Sequence, residues 1–400
     1  MSSLSEALAA ASAPKDEPAN KGMFTTNATG GEFTNVELDR ALNDNFDHVF
    51  ELFKADPAKY AIVEDTVRCS TWSQSKTLED GSRDIVQLYS YSARFRRVTR
   101  DMVRPEVTEA WRKDLMAAVV PVGSVNEQAT GTYVIPIADP QLGKKGTEEA
   151  VANWKRGVTK HLEQARRLSV AGVHVAWMGD ETEGVCNNYT NQSHTIELNQ
   201  SQQLELDFDL RVWTLKQALA LGVPVSASSV ISNHGEWTRN GSKDPVTTAN
   251  DNASTHIARQ VQKLFVELEE HGVPHIDWTI GAGRPGVTLT LSGVETYFSH
   301  GYIEKGRGTS TETRTRSAIE RQILGNTADL GTTKLWIMAH YHHAYYQEFE
   351  GRTLFGCPAL EAERSSEYML DQYGVWSPAG MLGFVVTSDN PRGWAHKNIF

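Results

Sequence analysis

Cysteine is scarce in this chain. Cys69, Cys186 and Cys357 are the only three in 400 residues, and no two form a CxxC pair. That excludes a dense disulfide framework and a cysteine zinc knuckle, and it points to a reducing, cytoplasmic compartment. Long apolar runs are missing as well: nothing approaches the roughly 18 apolar residues of a membrane-spanning helix. The opening MSSLSEALAAASAPKDEPANKG lacks the basic and apolar regions of a secretory signal, so residues 1–33 read as a disordered leader. Positive charge is also short. Against 50 Asp and Glu stand 39 Lys and Arg, a net charge of −11, which argues against a broad basic face coating duplex DNA. Any contact with nucleic acid must be local, and the one candidate is RFRRVTRDMVR, where Arg94, Arg96 and Arg97 flank Phe95 and are followed by Arg100 and Arg104. The plain alternative for that segment is a solvated strand face.

What is present predicts two folded units. In VELDRALNDNFDHVFELFKA the apolar residues Val36, Leu38, Leu42, Phe46, Val49, Phe50 and Phe53 recur at near-helical spacing, predicting one amphipathic helix ended by Asp56-Pro57. Alternating AIVEDTVRCSTWSQ and DIVQLYSYSARFRRVT around EDGS predict a hairpin. Residues 34–105 therefore read as a small helix-plus-hairpin module and 106–130 as a linker with some helix. From residue 131 to 400 the pattern becomes strand, loop, helix, repeated, which predicts a mainly parallel sheet in an α/β domain. RTLFGCPAL and AGMLGFVVTS read as a closing hairpin-like pair.

Four predicted strands of this domain end in polar clusters: IADPQ, WMGDETEG, VISNHGE and IMAHYHH. His340 and His342, at i and i+2, leave one strand end on one side, a spacing that suits metal ligation. Asp, Asn, His and Glu at successive strand ends suggest a single dinuclear metal centre. Such a pair of ions suits the hydrolysis of a phosphate ester, which needs positive charge around the phosphoryl group and a hydroxide at neutral pH.

Taken in order, these blocks resemble the signature of the calcineurin-like metallophosphoesterase superfamily, D-x-H, GD-x-x-D, GN-H-D/E, an isolated His and GH-x-H. The resemblance implies a four-layer α/β sandwich, two mixed β-sheets flanked by helices. It also implies two divalent ions, Mn2+ first, with Mg2+, Zn2+ or Fe2+ as alternatives. Carried over residue by residue, it makes Asp139, Gln141, Asp180, Asn233, His300, His340 and His342 metal ligands. Asp180 becomes the bridging carboxylate, Glu183 a brace behind the ligands, and His234 the acid that protonates the leaving oxygen after a hydroxide held between the ions attacks phosphorus in line.

The chain departs from the pattern at four places. Gln141 stands for a His and either ligates weakly or contacts only a metal-bound water. Ser232 and Ala339 stand for glycines, and Gly235 displaces the acid paired with His234 to Glu236. His343 is a candidate substrate contact, as are Arg94, Arg96 and Arg97. Among branches of the superfamily, which share one centre and differ in surrounding loops, the chain resembles phage-type members of the repair nucleases, which implies a DNA exonuclease or endonuclease in a host cytoplasm. A phosphatase or phosphodiesterase acting on a small nucleotide is the alternative, and a binding or assembly protein without turnover is the reading from another class. No membrane partner is expected, and oligomerisation stays open.

Overall fold

The computed structural model describes residues 22–27, 30–42, 45–77, 83–97, 105–117, 129–186, 188–189, 192–237, 247–283, 285–302, 307–362, 370, 374 and 376–400. Residues 1–21 of the expected leader, part of the expected linker, and Arg100 and Arg104 lie outside them. The chain divides into two compact units, Met1–Arg100 and Asp101–Phe400.

The smaller unit is an antiparallel sheet in the order β1(Met23–Thr26), β2(Gly30–Leu38), β5(Arg83–Arg97), β3(Tyr60–Ile62), with β4(Arg68–Thr77) also paired to β5. The expected hairpin is β4 and β5, in register from Arg68 opposite Ser92 to Thr77 opposite Arg83. Two expectations fail here. The leader does not extend to residue 33, because β1 and the start of β2 are paired strands. The long helix over residues 36–53 is instead strand β2 followed by the short helix α1(Asp47–Leu52). A register shift lies between Phe33 and Val36, where Asn35 has a φ of 54°. The apolar residues read as one helix divide between two elements: Val36 and Leu38 alternate as buried positions of β2, while Val49 and Phe50 are the buried positions of α1. Phe33, Phe50, Tyr91 and Phe95 form the core of this unit.

The larger unit has four layers. One mixed sheet runs β16(Trp394–Ile399), β15(Leu382–Val386), β6(Thr132–Ile137), β7(Gly172–Trp177), β8(Val225–Ser229), β9(Ile276–Ile280), with β6 to β9 parallel. The second runs β10(Gly286–Leu291), β11(Val294–Ser299), β12(Leu335–Met338), β14(Arg352–Gly356), β13(Tyr345–Phe349), with β11, β12 and β14 parallel. Period-two alternation assigns the faces. In β6, Tyr133, Ile135 and Ile137 join the core shared with helices, while Val134 joins the core shared by the two sheets. In β12, Leu335 and Ile337 face the first sheet, while Trp336 and Met338 pack with Ile319. The outer layers are α3(Thr147–Leu168), α4(Gln200–Leu219) and α5(Ala253–Glu269) on one side, and α6(Thr311–Gly325) with α7(Thr327–Leu330) on the other. The expected sandwich of two mixed sheets flanked by helices is the observed architecture.

Two further expectations are corrected. Helix α2(Pro105–Ala117) is no linker: Arg112 Nε donates to Asp209 of α4 at 2.7 Å, and the helix lies within the larger unit. The segments RTLFGCPAL and AGMLGFVVTS form no hairpin, since β14 lies in one sheet and β15 in the other, although Gly380 N–H donates to Ala359 O at 3.0 Å beside these strands. Among the described residues no helix is long and apolar enough to cross a membrane.

Candidate metal centre

Five parallel strands, β6, β7 and β8 of the first sheet and β11 and β12 of the second, deliver their C-terminal ends to one place. That is where an α/β sheet leaves loops free to build a site. Asp139 follows β6, Asp180 follows β7, Asn233 and His234 follow β8, His300 follows β11, and His340 and His342 follow β12. Among the described residues eleven non-glycine residues have positive φ, and five of them are Asp139, Gln141, Asp180, His340 and His342. Left-handed backbone at non-glycine residues costs on the order of 1–3 kcal/mol each and persists where surrounding structure enforces it.

The enforcement is a backbone ladder between the loops. Gln141 N–H donates to Asp180 O at 3.0 Å, Leu142 N–H to Glu181 O at 2.8 Å and Glu183 N–H to Leu142 O at 2.9 Å, while Glu361 N–H donates to Asp139 O at 3.1 Å. Asp180 N–H donates to Ser232 Oγ at 2.9 Å, and Asn252 Nδ2 donates to Ser232 O at 2.7 Å while its side chain caps α5. Gly179 makes the turn with a φ of 95°, and a Cβ there would stand 2.5 Å from Ser232 Cβ and 2.8 Å from His300 Nδ1.

Asp180, His300 and His340 each present a ligand atom, all within 4.8 Å of one another. His300 Nε2 lies 3.0 Å from Asn233 Oδ1 and 3.0 Å from Asp180 Oδ2, so Asn233 joins the group. His300 Nδ1 donates to Met178 O at 2.8 Å, which fixes the tautomer that leaves Nε2 facing the centre. Burial opposes a charge on His300, yet Asp180 and Asp139 raise its pKa to about 9. His340 moves the other way: burial and the neighbouring His300 hold it down to about 3, a neutral imidazole. Burial would raise the Asp180 carboxyl, but His300 and His234 hold it well below the usual range. Two buried carboxylate oxygens have imidazole nitrogens beside them, Asp139 Oδ1 with His342 Nε2 at 3.4 Å and Asp180 Oδ2 with His300 Nε2 at 3.0 Å. Buried anionic oxygens beside imidazoles and an amide oxygen are a donor set suited to a divalent cation. The residues around Asp180 therefore fit one such ion.

The other half of the expected pair is built differently. His342 Nε2 stands 3.4 Å from Asp139 Oδ1, and its Nδ1 donates to Glu361 Oε1 at 2.6 Å. Gln141 Oε1 accepts from Lys144 Nζ at 3.0 Å, and the same ammonium donates to Glu361 Oε2 at 2.7 Å. Glu361 and Lys144 were not singled out from the sequence. They sit 217 residues apart, and each alone in its loop carries no local signal.

His234 is buried, and its backbone N–H donates to Asp180 Oδ1 at 2.8 Å. The sequence pairs its ring with Glu236, but the structure gives that place to Glu183. His234 Nδ1 donates to Glu183 O at 2.8 Å and lies 3.3 Å from Glu183 Oε2. Against the burial that would lower it, Asp180 and Glu183 raise the His234 pKa to about 9. Glu183 Oε1 in turn accepts from Tyr189 Oη at 2.7 Å and Gln192 Nε2 at 3.0 Å. Glu236 instead bridges through its backbone to Asn252, and its carbonyl accepts from Cys186 Sγ at 3.2 Å. Glu183 thus reaches the ring that the sequence pairs with Glu236, whose backbone Gly235 leads onto the Asn252 loop.

Beneath the β7 loop lies a second network that the sequence did not announce. Arg211 of α4 is fully buried, 3.1 Å from Glu181 Oε2 and 2.8 Å from Asp207 Oδ1, with its guanidinium 4.9 Å from the Trp177 ring centre. Glu181 Oε1 accepts from Gly179 N–H at 3.0 Å, so this buried charge cluster fixes the turn that presents Asp180.

The four remaining candidates, His343 and three arginines, have other partners or belong to other elements. His343 Nδ1 donates to Tyr341 O at 2.8 Å and its Nε2 lies 3.4 Å from Glu312 of α6. Arg94, Arg96 and Arg97 belong to the smaller unit; Arg94 and Arg96 alternate with buried Ala93 and Phe95 on the exposed face of β5, and Arg94 lies 3.9 Å from Glu32.

No protein-family model and no curated protein sequence matches the chain. Solved structures do. An archaeal phosphodiesterase shares 8% identity over 67% of this chain and 99% of its own, with a TM-score of 0.29. A predicted phosphoesterase from Streptococcus pneumoniae TIGR4 shares 8% over 67% of this chain and 96% of its own, with a TM-score of 0.26. A phosphopantetheinyl hydrolase from Mycobacterium tuberculosis shares 10% over 62% and 94%, with a TM-score of 0.25.

Proposed function

We propose that the chain hydrolyses phosphate esters with the help of a divalent cation, and that DNA is its substrate. The observation that carries the first part is the convergence of Asp180, His300 and His340 within 4.8 Å, next to the amide oxygen of Asn233. When bound, a divalent ion there supplies Lewis-acid charge for a phosphoryl oxygen and lowers the pKa of water. Asp180, Asn233, His300 and His340 would hold it. The chain's own groups do the rest. His234 stays protonated at neutral pH because Asp180 and Glu183 favour its charged form, which suits a donor of the proton that a departing alkoxide needs. Glu183, fixed by Tyr189 and Gln192, orients that ring through Nδ1 and leaves Nε2 to face the substrate.

The DNA reading rests on Arg94 and Arg96, which share the exposed face of β5 as a local contact for phosphates. The second reading, a phosphatase or phosphodiesterase on a small nucleotide, is favoured by the ion pair Arg94–Glu32, which partly neutralises one of those candidate phosphate contacts. Purified protein in Mn2+ should be offered bis-p-nitrophenyl phosphate and 5′-labelled single- and double-stranded DNA, with Asp180→Asn and His234→Ala alongside. Cleavage of DNA that both substitutions lower by at least about 100-fold supports the whole reading. Cleavage of the small ester alone moves the assignment to the second reading, and no cleavage of either leaves a binding protein that has lost turnover.

A further inference from the structure

The two halves of the centre are not equivalent, and the difference lies in what the side chains around each aspartate can offer a cation. Around Asp180 they are of ligand type, two imidazoles and an amide oxygen, while Asp180 Oδ1 accepts from the His234 backbone N–H at 2.8 Å. His300 Nε2 is within 3.0 Å of both Asn233 Oδ1 and Asp180 Oδ2, and His340 completes the set. Around Asp139 the donors are committed elsewhere. Gln141 Oε1, the one amide oxygen on that side, accepts from Lys144 Nζ at 3.0 Å. Lys144 is held there by Glu361 at 2.7 Å, and the other oxygen of Glu361 takes the Nδ1 proton of His342. If Gln141 Oε1 also ligated a dication at about 2.1 Å, the lysine ammonium would stand no more than about 5 Å from it, a repulsive arrangement in a largely buried site. Without Gln141, the Asp139 side offers Asp139 Oδ1 and His342 Nε2, too few for a hard ion unless Asp180 and several waters complete the shell.

We infer that the centre holds one tightly bound divalent ion, on Asp180, Asn233, His300 and His340, and that the Lys144 ammonium, clamped by Glu361 and Gln141, supplies the fixed positive charge of the other half. Lys144 is then a positioning and electrostatic residue that replaces a second cation, and Gln141 is its anchor instead of a ligand. The inference rests on the proposal that the site binds a divalent ion at all, and the test separates the two.

The full chain, stripped with chelator and reloaded with Mn2+, is passed through a desalting column, its metal counted by mass spectrometry and its Mn2+ spectrum recorded by electron paramagnetic resonance. One ion per chain with the six-line signal of isolated Mn2+ supports the inference. Two ions per chain with a spin-coupled signal overturn it while leaving the hydrolase reading intact. Retention of less than a tenth of an ion overturns both. The double substitution Gln141→His and Lys144→Met is expected to raise the count from one to two and to give the coupled signal. The single Lys144→Met covers the case in which the pair does not fold, with weak second-ion binding expected from a Mn2+ titration. A folded double variant that still holds one ion overturns the assignment to Lys144.

Discussion

Replacing Arg211 by Met tests whether the buried charge cluster holds the β7 loop. Arg211, Glu181 and Asp207 are each fully buried, so the substitution leaves two carboxylates in the interior with no cation. Removing one partner of a buried ion pair costs about 3–5 kcal/mol, largely the penalty of the charge left behind. The variant's pH dependence identifies that penalty. Even beside Arg211, burial lifts the Asp207 carboxyl to about 7, with the arginine opposing the rise. A carboxyl raised in the folded state binds its proton more tightly folded than unfolded, so the stability it leaves is greatest at low pH. It is lost as pH rises from about 4 through the folded pKa, by up to about 1.4 kcal/mol per pH unit for each such group. With Arg211 gone that window extends above 7. Urea unfolding followed by tryptophan emission suits the measurement, since Trp177 lies under the guanidinium. Arg211→Met should lose about 3–5 kcal/mol at pH 8 and less at pH 5, and adding Asp207→Asn with Glu181→Gln should bring it back to within about 1 kcal/mol of the parent. A loss below about 1 kcal/mol at pH 8, or a triple variant no better than the single one, would refute the charge argument; the second outcome would place the cost in packing against Trp177.

Glu183→Gln should lower kcat on bis-p-nitrophenyl phosphate by about 10- to 100-fold while Glu236→Gln stays within about twofold, because His234 Nδ1 meets Glu183; equal losses in the two would return the role to Glu236. Gly179→Ala forces a Cβ to 2.5 Å from Ser232 Cβ in a left-handed turn, so it should cost at least about 1–3 kcal/mol in unfolding experiments and lower retained Mn2+; an unchanged metal count would show that the turn is dispensable. Ligation needs neutral His300, whose pKa is raised to about 9. Mn2+ affinity by calorimetry should therefore climb about tenfold per pH unit from 7 to 9 and level off above, with proton release, and a flat profile would contradict the assignment. By the same shift the metal-free chain holds this group's stabilisation in full below 6.5 and loses it as pH rises through about 9.

The sequence was legible where one local rule decided the outcome. Strands β6, β7 and β12 are largely apolar because both faces are buried, and each ends in a polar residue that meets the centre, as β11 does at His300, so Asp139, Asp180, His300 and His340 could be named from short motifs. It was not legible where the partner is distant in the chain. Lys144 meets Glu361 across 217 residues and Arg112 of α2 meets Asp209 of α4 across 97, separations that no spacing rule connects. Glu236 was assigned to His234 because it is near in sequence, whereas Glu183 reaches the same ring from the β7 loop. The helix expected across residues 36–53 failed for another reason: the alternation of Val36 and Leu38 on β2 runs on into the apolar positions of α1, and the two together imitate one helical repeat.

These outcomes share a cause in how the site is supported. Asp139 and Gln141, like His340 and His342, are pairs at i and i+2 in which both residues adopt left-handed backbone, which a strand would not do on its own. Five such residues at about 1–3 kcal/mol each amount to a sum comparable to the whole stability of a domain. They persist only if the layers around them leave no alternative. Two sheets that share one apolar core bring the ends of β6 to β8 and of β11 and β12 together, and the Glu181–Arg211 cluster with the Ser232–Asn252 contacts locks the loops from behind. The ligand residues are therefore readable from sequence because chemistry restricts their type, while the residues that hold them in strained positions are restricted only by shape and charge in three dimensions. Metal affinity in this chain should accordingly be as sensitive to Gly179 and Arg211 as to the ligands themselves.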